Sequence, residues 1–140
     1  MVIKFDKKRV KELLEKYYKD EYDCDGKVTI TASRGCVGYG MGEHIECIVK
    51  ATFSGSMDVL GEVTEFKVEL YSEDIIRIIK QILEDNGYSV SNVSCDSGFD
   101  YRTEGYGMGE ETKSYPYFNG VEVRLNEKIK NKGEMKNEKR

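Results

Sequence analysis

The residues best suited to chemistry in this chain are its four cysteines, Cys24, Cys36, Cys47 and Cys95, and its one histidine, His44. Cys36, His44 and Cys47 could gather around a hairpin, as zinc ligands or as a thiol nucleophile beside an imidazole base. The spacing Cys-x7-His-x2-Cys follows no zinc pattern, and a fourth ligand would have to be Cys24 or Cys95. Arg34 could lower a thiol pKa at Cys36, but no third group stands out to orient the imidazole. Asp23 and Asp25 resemble part of a calcium loop, yet the glycine and the closing glutamate of an EF-hand are misplaced. These residue sets predict a protein that is not an enzyme, with no metal and no cofactor.

A second set is defined by repetition. Gly38-Tyr39-Gly40-Met41-Gly42-Glu43 recurs as Gly105-Tyr106-Gly107-Met108-Gly109-Glu110. Three alternating glycines permit positive φ and close backbone approach. Phosphate-binding glycines lie between a strand and a helix, whose N-terminus supplies a positive field. Here each loop joins two strand patterns, no lysine follows the glycines, and Glu43 and Glu110 would repel a phosphate. Three readings stay open: a plain hairpin connection present twice, a protein-binding loop built on Tyr and Met, or a site for a small two-fold ligand. The candidate binding residues are Tyr39, Met41, Glu43, Tyr106, Met108 and Glu110. Tyr101 and Tyr115 join them from the tyrosine-rich second half, because Tyr is a low-entropy recognition anchor.

The elements that must position these loops are legible from periodicity. Val2 to Phe5 alternates as a short strand, and Asp6 caps a helix from about Lys7 to Lys19. Its stripe is Val10, Leu13, Leu14, Tyr17 and Tyr18; a second helix after Ser72 carries Ile75, Ile78, Ile79, Ile82 and Leu83. Strand patterns run through Lys27–Ser33, Ile45–Phe53, Val63–Tyr71, Tyr88–Cys95 and Tyr115–Leu125. Residues 96–111 read as a long polar loop. The two helix stripes align position for position, as do Ile3 and Phe5 with Val68 and Leu70, and Phe53-Ser54-Gly55 with Phe118-Asn119-Gly120. The predicted fold is α+β: two helices on a mainly antiparallel sheet of five or six strands, built from an internal βαββ duplication. The domain spans 1–125, in units of about 1–57 and 66–125, followed by a charged, disordered tail at 126–140.

Composition bounds the function. A chain of 140 residues with 39% hydrophobic content suits one domain with a core of its own. No apolar run approaches the roughly 18 residues that span a bilayer, and no signal peptide pattern opens the chain. A cytoplasmic protein with reduced cysteines and no membrane contact is expected. The net charge of −4 conceals a split: the tail holds six basic and three acidic side chains, and the body 16 basic and 23 acidic. An acidic body disfavours direct contact with nucleic acid and favours a basic protein partner, such as one that itself holds nucleic acid.

The stretch Phe66-Lys-Val-Glu-Leu-Tyr-Ser-Glu-Asp-Ile-Ile, through Leu83-Glu-Asp-Asn-Gly-Tyr-Ser-Val-Ser-Asn-Val and closing on Gly120-Val-Glu-Val-Arg-Leu, resembles small accessory proteins of phages and prophages. The resemblance covers the second unit and implies acidic inhibitors of host defence, anti-CRISPR proteins among them. The expected function is therefore a non-enzymatic protein-binding inhibitor acting through an acidic, tyrosine-rich surface and the two glycine loops. The alternative is a sensor or sponge for a nucleotide-like ligand held between those loops.

Overall fold

Helix boundaries follow from local capping chemistry. The first helix, α1 (Lys7–Tyr22), starts at Asp6, whose carboxylate accepts the Arg9 N–H at 2.8 Å. It stops at Asp23, which turns left-handed at φ 55 and donates its N–H to the Lys19 carbonyl at 3.1 Å. The second helix, α2 (Ser72–Asp85), begins where Asp74 reaches back to the Tyr71 N–H at 3.0 Å. It ends at Asn86-Gly87, the glycine at φ 91. Both helices are amphipathic, and their buried residues are Val10, Leu14 and Tyr18 in one and Ile75, Ile78, Ile79 and Leu83 in the other.

The computed structural model describes residues 1–38, 40–105 and 107–126. Tyr39, Tyr106 and the tail at 127–140, all singled out from the sequence, lie outside the described residues.

Six strands complete the fold: β1 (Val2–Asp6), β2 (Asp25–Val37), β3 (His44–Val59), β4 (Glu62–Tyr71), β5 (Val90–Glu104) and β6 (Glu111–Leu125). They do not form the single sheet of five or six strands expected from the sequence. They form two three-stranded antiparallel sheets, ordered β1-β6-β5 and β2-β3-β4. The reason is visible in the core. Val28, Ile30, Val49, Ala51 and Phe53 from one sheet join Val93, Phe118, Val121 and Val123 from the other, together with both helix stripes, in one buried cluster. Facing layers bring such residues together, whereas one continuous sheet would spread them across a wide face.

The pairing exchanges strands between the halves. β1 belongs to the first half in sequence but pairs with β6, matching Ile3 with Val123 and Phe5 with Val121. β4 opens the second half but pairs with β3, matching Val68 with Phe53 and Leu70 with Ala51. Neither half completes its own sheet.

The polar loop expected at 96–111 is mostly strand. Residues from Ser97 to Glu104 pair in unbroken register with Phe118 to Glu111, after a bulge that leaves Asn119 unmatched. Backbone pairing to β6 fixes this stretch, so its polar side chains hid it from a hydrophobicity reading. The connection between the arms of the hairpin is only the six residues of the glycine motif.

Candidate functional site: two matched hairpin tips

The repeated hexapeptide caps two long hairpins, β2–β3 and β5–β6. Its glycines set the same backbone at both ends. Gly38 has φ 97 and Gly105 has φ 99; Gly40 has φ 52 and Gly107 has φ 54. A single 3-10 turn follows at Gly40–Gly42 and again at Gly107–Gly109. Each turn is closed by one hydrogen bond of 3.2 Å, from the Glu43 N–H to the Gly40 carbonyl and from the Glu110 N–H to the Gly107 carbonyl. A Cβ on Gly38 would lie 2.4 Å from the Gly42 carbonyl oxygen, so glycine is required there by space as well as by φ. The outcome is that Met41 and Met108 stand fully exposed, at 105% each. Glu43 and Glu110 beside them are exposed too.

Cross-sheet contacts show that the two tips share one end of the molecule. Arg34, four residues before Gly38, donates its guanidinium to the Ser114 carbonyl at 2.8 Å and to the Ser114 hydroxyl. Ser114 in turn lies four residues beyond Glu110. The same guanidinium sits 5.7 Å from the Phe99 ring centre, a cation–π distance. Lower down, the Cys47 thiol meets the Tyr117 carbonyl at 3.5 Å. The two hairpins thus touch along their necks, with Arg34 and Ser114 each lying four positions from the motif on its own hairpin.

Below the tips the two arms carry different chemistry. On the first, His44 holds the Gly42 carbonyl through Nδ1 at 3.0 Å and the Glu46 carboxylate through Nε2 at 2.6 Å. Both contacts, the backbone one foremost, raise the imidazole pKa. On the second, the Tyr115 hydroxyl donates to Glu104, and Lys113 sits 3.3 Å from Glu104 and 3.6 Å from Glu111. The Tyr115 hydrogen bond, followed by the Lys113 ammonium, lowers the Glu104 carboxyl pKa. Arg102 lies 4.8 Å from the Tyr115 ring centre.

The sequence candidates separate accordingly. Met41 and Glu43 share the first tip, Met108 and Glu110 the second. Tyr101 is 70% exposed on β5, while Tyr115 is half-buried in the Glu104 contact. Cys36 and His44 do not come together. Register pairs Cys36 with Ile45 and Val37 with His44, so the thiol and the imidazole occupy opposite faces of the hairpin. Cys36 instead hydrogen-bonds Glu43, which raises its thiol pKa and works against a nucleophilic role. Among the described residues no three His, Cys, Asp or Glu side chains group as a metal site. No helix among them is long and apolar enough to cross a membrane.

Sequence reasoning missed Arg34 as the bridge between hairpins, and missed Phe99 and Ser114 as its partners. The available signal was a lone arginine continuing the inward-facing alternation of Val28, Ile30 and Ala32 along β2. A scan of family models, a search of curated proteins and a search of solved structures each found no match.

Proposed function

We propose that this chain is a non-catalytic binding protein that engages a protein partner with the end bearing the two tips. One observation carries the reading. Two methionines stand fully exposed on loops of identical sequence and matching backbone, at the ends of hairpins joined by the Arg34–Ser114 bridge. An exposed methionine contributes nothing to the core, and its flexible thioether packs well into apolar pockets of varied shape. Glu43 and Glu110 beside the methionines favour a basic rim around those pockets. A protein that itself binds nucleic acid has such a surface, and an acidic phage- or mobile-element-encoded inhibitor working in the cytoplasm, of the anti-CRISPR kind, would exploit it.

The reading extends to the origin of the paired tips. We infer that the halves descend from one βαββ unit. The helix stripes support this, since Val10 and Ile75, Leu14 and Ile79, and Tyr18 and Leu83 have matching burial. The reciprocal exchange of β1 and β4 supports it too. The alternative of a nucleotide-like ligand between the tips is less favoured. The Glu43 and Glu110 N–H groups that would hold an anion are already committed to Gly40 and Gly107. A cavity of about 690 Å³ lies instead between α1, α2 and β1, and takes no residue from either tip.

The test is affinity capture from bacterial lysate with wild type, Met41→Ala, Met108→Ala and the double variant. A partner weakened by each single change and lost with both is the expected result. A partner indifferent to all three, or dependent only on residues away from the tips, overturns the reading.

A further inference from the structure

The third hairpin turn, between β3 and β4, is built against its own sequence. Leu60 and Gly61 form a two-residue connection with φ 55 and φ 89. Such a turn wants Asn or Gly at its first position, because a bulky side chain is strained in the left-handed region. Leu60 is nonetheless leucine, and it is 100% exposed. Its neighbours Val59 and Val63 are 42% and 79% exposed. No packing offsets the strain, and three apolar side chains are left in water at one point. The side chain that holds the turn shut is Asp58, which accepts the Gly61 N–H at 2.8 Å.

This turn is also the only covalent link between two halves that depend on each other. β4 completes the sheet of β3, β1 completes the sheet of β6, and α1 touches α2. Each of these contacts joins residues before Leu60 to residues after Gly61. All of them can be remade between two chains without altering a single pair, provided the link opens. Short hinge connections under strain invite this exchange.

We propose that the chain forms a two-fold dimer with a second copy of itself by opening at Leu60-Gly61. β3 and β4 then run on as one extended strand, and the first half of each copy takes the second half of the other. The partner is set by continuity, because the interface is the β3–β4, β1–β6 and α1–α2 contact already present within one chain. Opening returns Leu60 to an extended conformation. It also brings the two hinge segments past one another in antiparallel sense, so that Val59, Leu60 and Val63 of one copy face those of the other. The dimer rests on a different surface from the tips, and Met41→Ala/Met108→Ala leaves it unchanged.

Refolding from denaturant over a range of chain concentrations, followed by size-exclusion chromatography with light scattering, tests the proposal. Wild type gives a dimer whose share grows with the refolding concentration and which dissociates slowly on dilution. Asp58→Ala, which unlocks the turn, increases it. Leu60→Asn, which suits the left-handed position, lowers the dimerisation constant by about 25-fold, from roughly 5-fold per hinge and two hinges per dimer. Exchange is told from simple contact between sticky turns by Thr52→Cys/Glu69→Cys in a Cys36→Ser background, since Thr52 and Glu69 are register partners on β3 and β4. Cross-linking between chains in the isolated dimer is expected. Cross-links confined within single chains of that dimer, or a monomer at every concentration for both wild type and Asp58→Ala, overturn the proposal.

Discussion

The two hairpins of this molecule agree at their tips and differ at their necks and roots. At the tips the backbone angles match within a few degrees and the methionines are equally exposed. Six residues with three glycines carry that shape, and the backbone hydrogen bond that closes each turn lies within the motif. At the necks, where strands merely need to pair, one arm carries the His44–Glu46 pair and the other a Tyr115–Glu104–Lys113 cluster. At the roots, the exchanged strand β1 has 5 residues and its counterpart β4 has 10. The two hairpins are alike where a conformation must be specified locally, and differ where pairing alone holds the chain.

The largest expected effect is at the root of β1. Gly120 has φ 127 and lies opposite Asp6, and a Cβ there would stand 1.9 Å from the Phe5 carbonyl oxygen. Gly120→Ala must displace β1, costing about 3 kcal/mol or more through strain and lost pairing. Urea unfolding measures the loss, and amide exchange locates it. Residues 2–6 should lose protection while the β3–β4 ladder keeps its own. Equal loss of protection in both ladders would show that the roots are not independent.

A smaller and paired effect is expected at the tips. Ala at Gly38 or Gly105 meets a carbonyl oxygen at 2.4 or 2.3 Å with φ near +100°. Each change should open its own tip at a cost of about 1–3 kcal/mol, with little effect on the core. Amide exchange at Glu43 and Glu110 reads the opening directly, because those N–H groups close the two turns. The comparison predicts matching losses. A difference of more than about 1 kcal/mol would mean that the necks support the tips unequally.

Much of this architecture could be read from residue order. Both helices announced themselves through stripes and caps, Asp6 and Gly87 included, since these are local, periodic signals. The tips were found because a glycine motif repeated. The division into two sheets was not legible, because alternation shows which side of a strand is apolar and not which strand lies beside it. Ser97 to Glu104 hid for a related reason: strand pairing at a polar arm leaves little hydrophobic trace. The Arg34–Ser114 bridge joins residues 80 apart, and nothing in the local sequence of either points to the other.

The smallest effect separates the two necks by pH. A neutral imidazole carries one N–H, yet His44 faces two oxygens, the Gly42 carbonyl at 3.0 Å and Glu46 at 2.6 Å. Only the protonated ring can donate to both, which is why its pKa is raised. A raised folded-state pKa stabilises the folded tip below the unfolded value, about pH 6.5, and that contribution is lost as pH rises through the folded value. The first tip should therefore exchange its Glu43 amide more slowly, relative to intrinsic rates, at pH 5.5 than at pH 8. Register sets Glu111 of the second hairpin where His44 stands in the first, opposite Glu104, so the Glu110 amide should show no such step in that window. Glu104, with its lowered carboxyl pKa, responds in the opposite sense: its contribution is present above the ordinary carboxylate range and disappears only as pH falls through the lowered value. Glu46→Gln should shrink the step at the first tip without abolishing it, because the Gly42 carbonyl is the larger cause of the raised pKa. A step of equal size at both tips, or one unchanged by Glu46→Gln and by His44→Gln, would remove His44 as the difference between them.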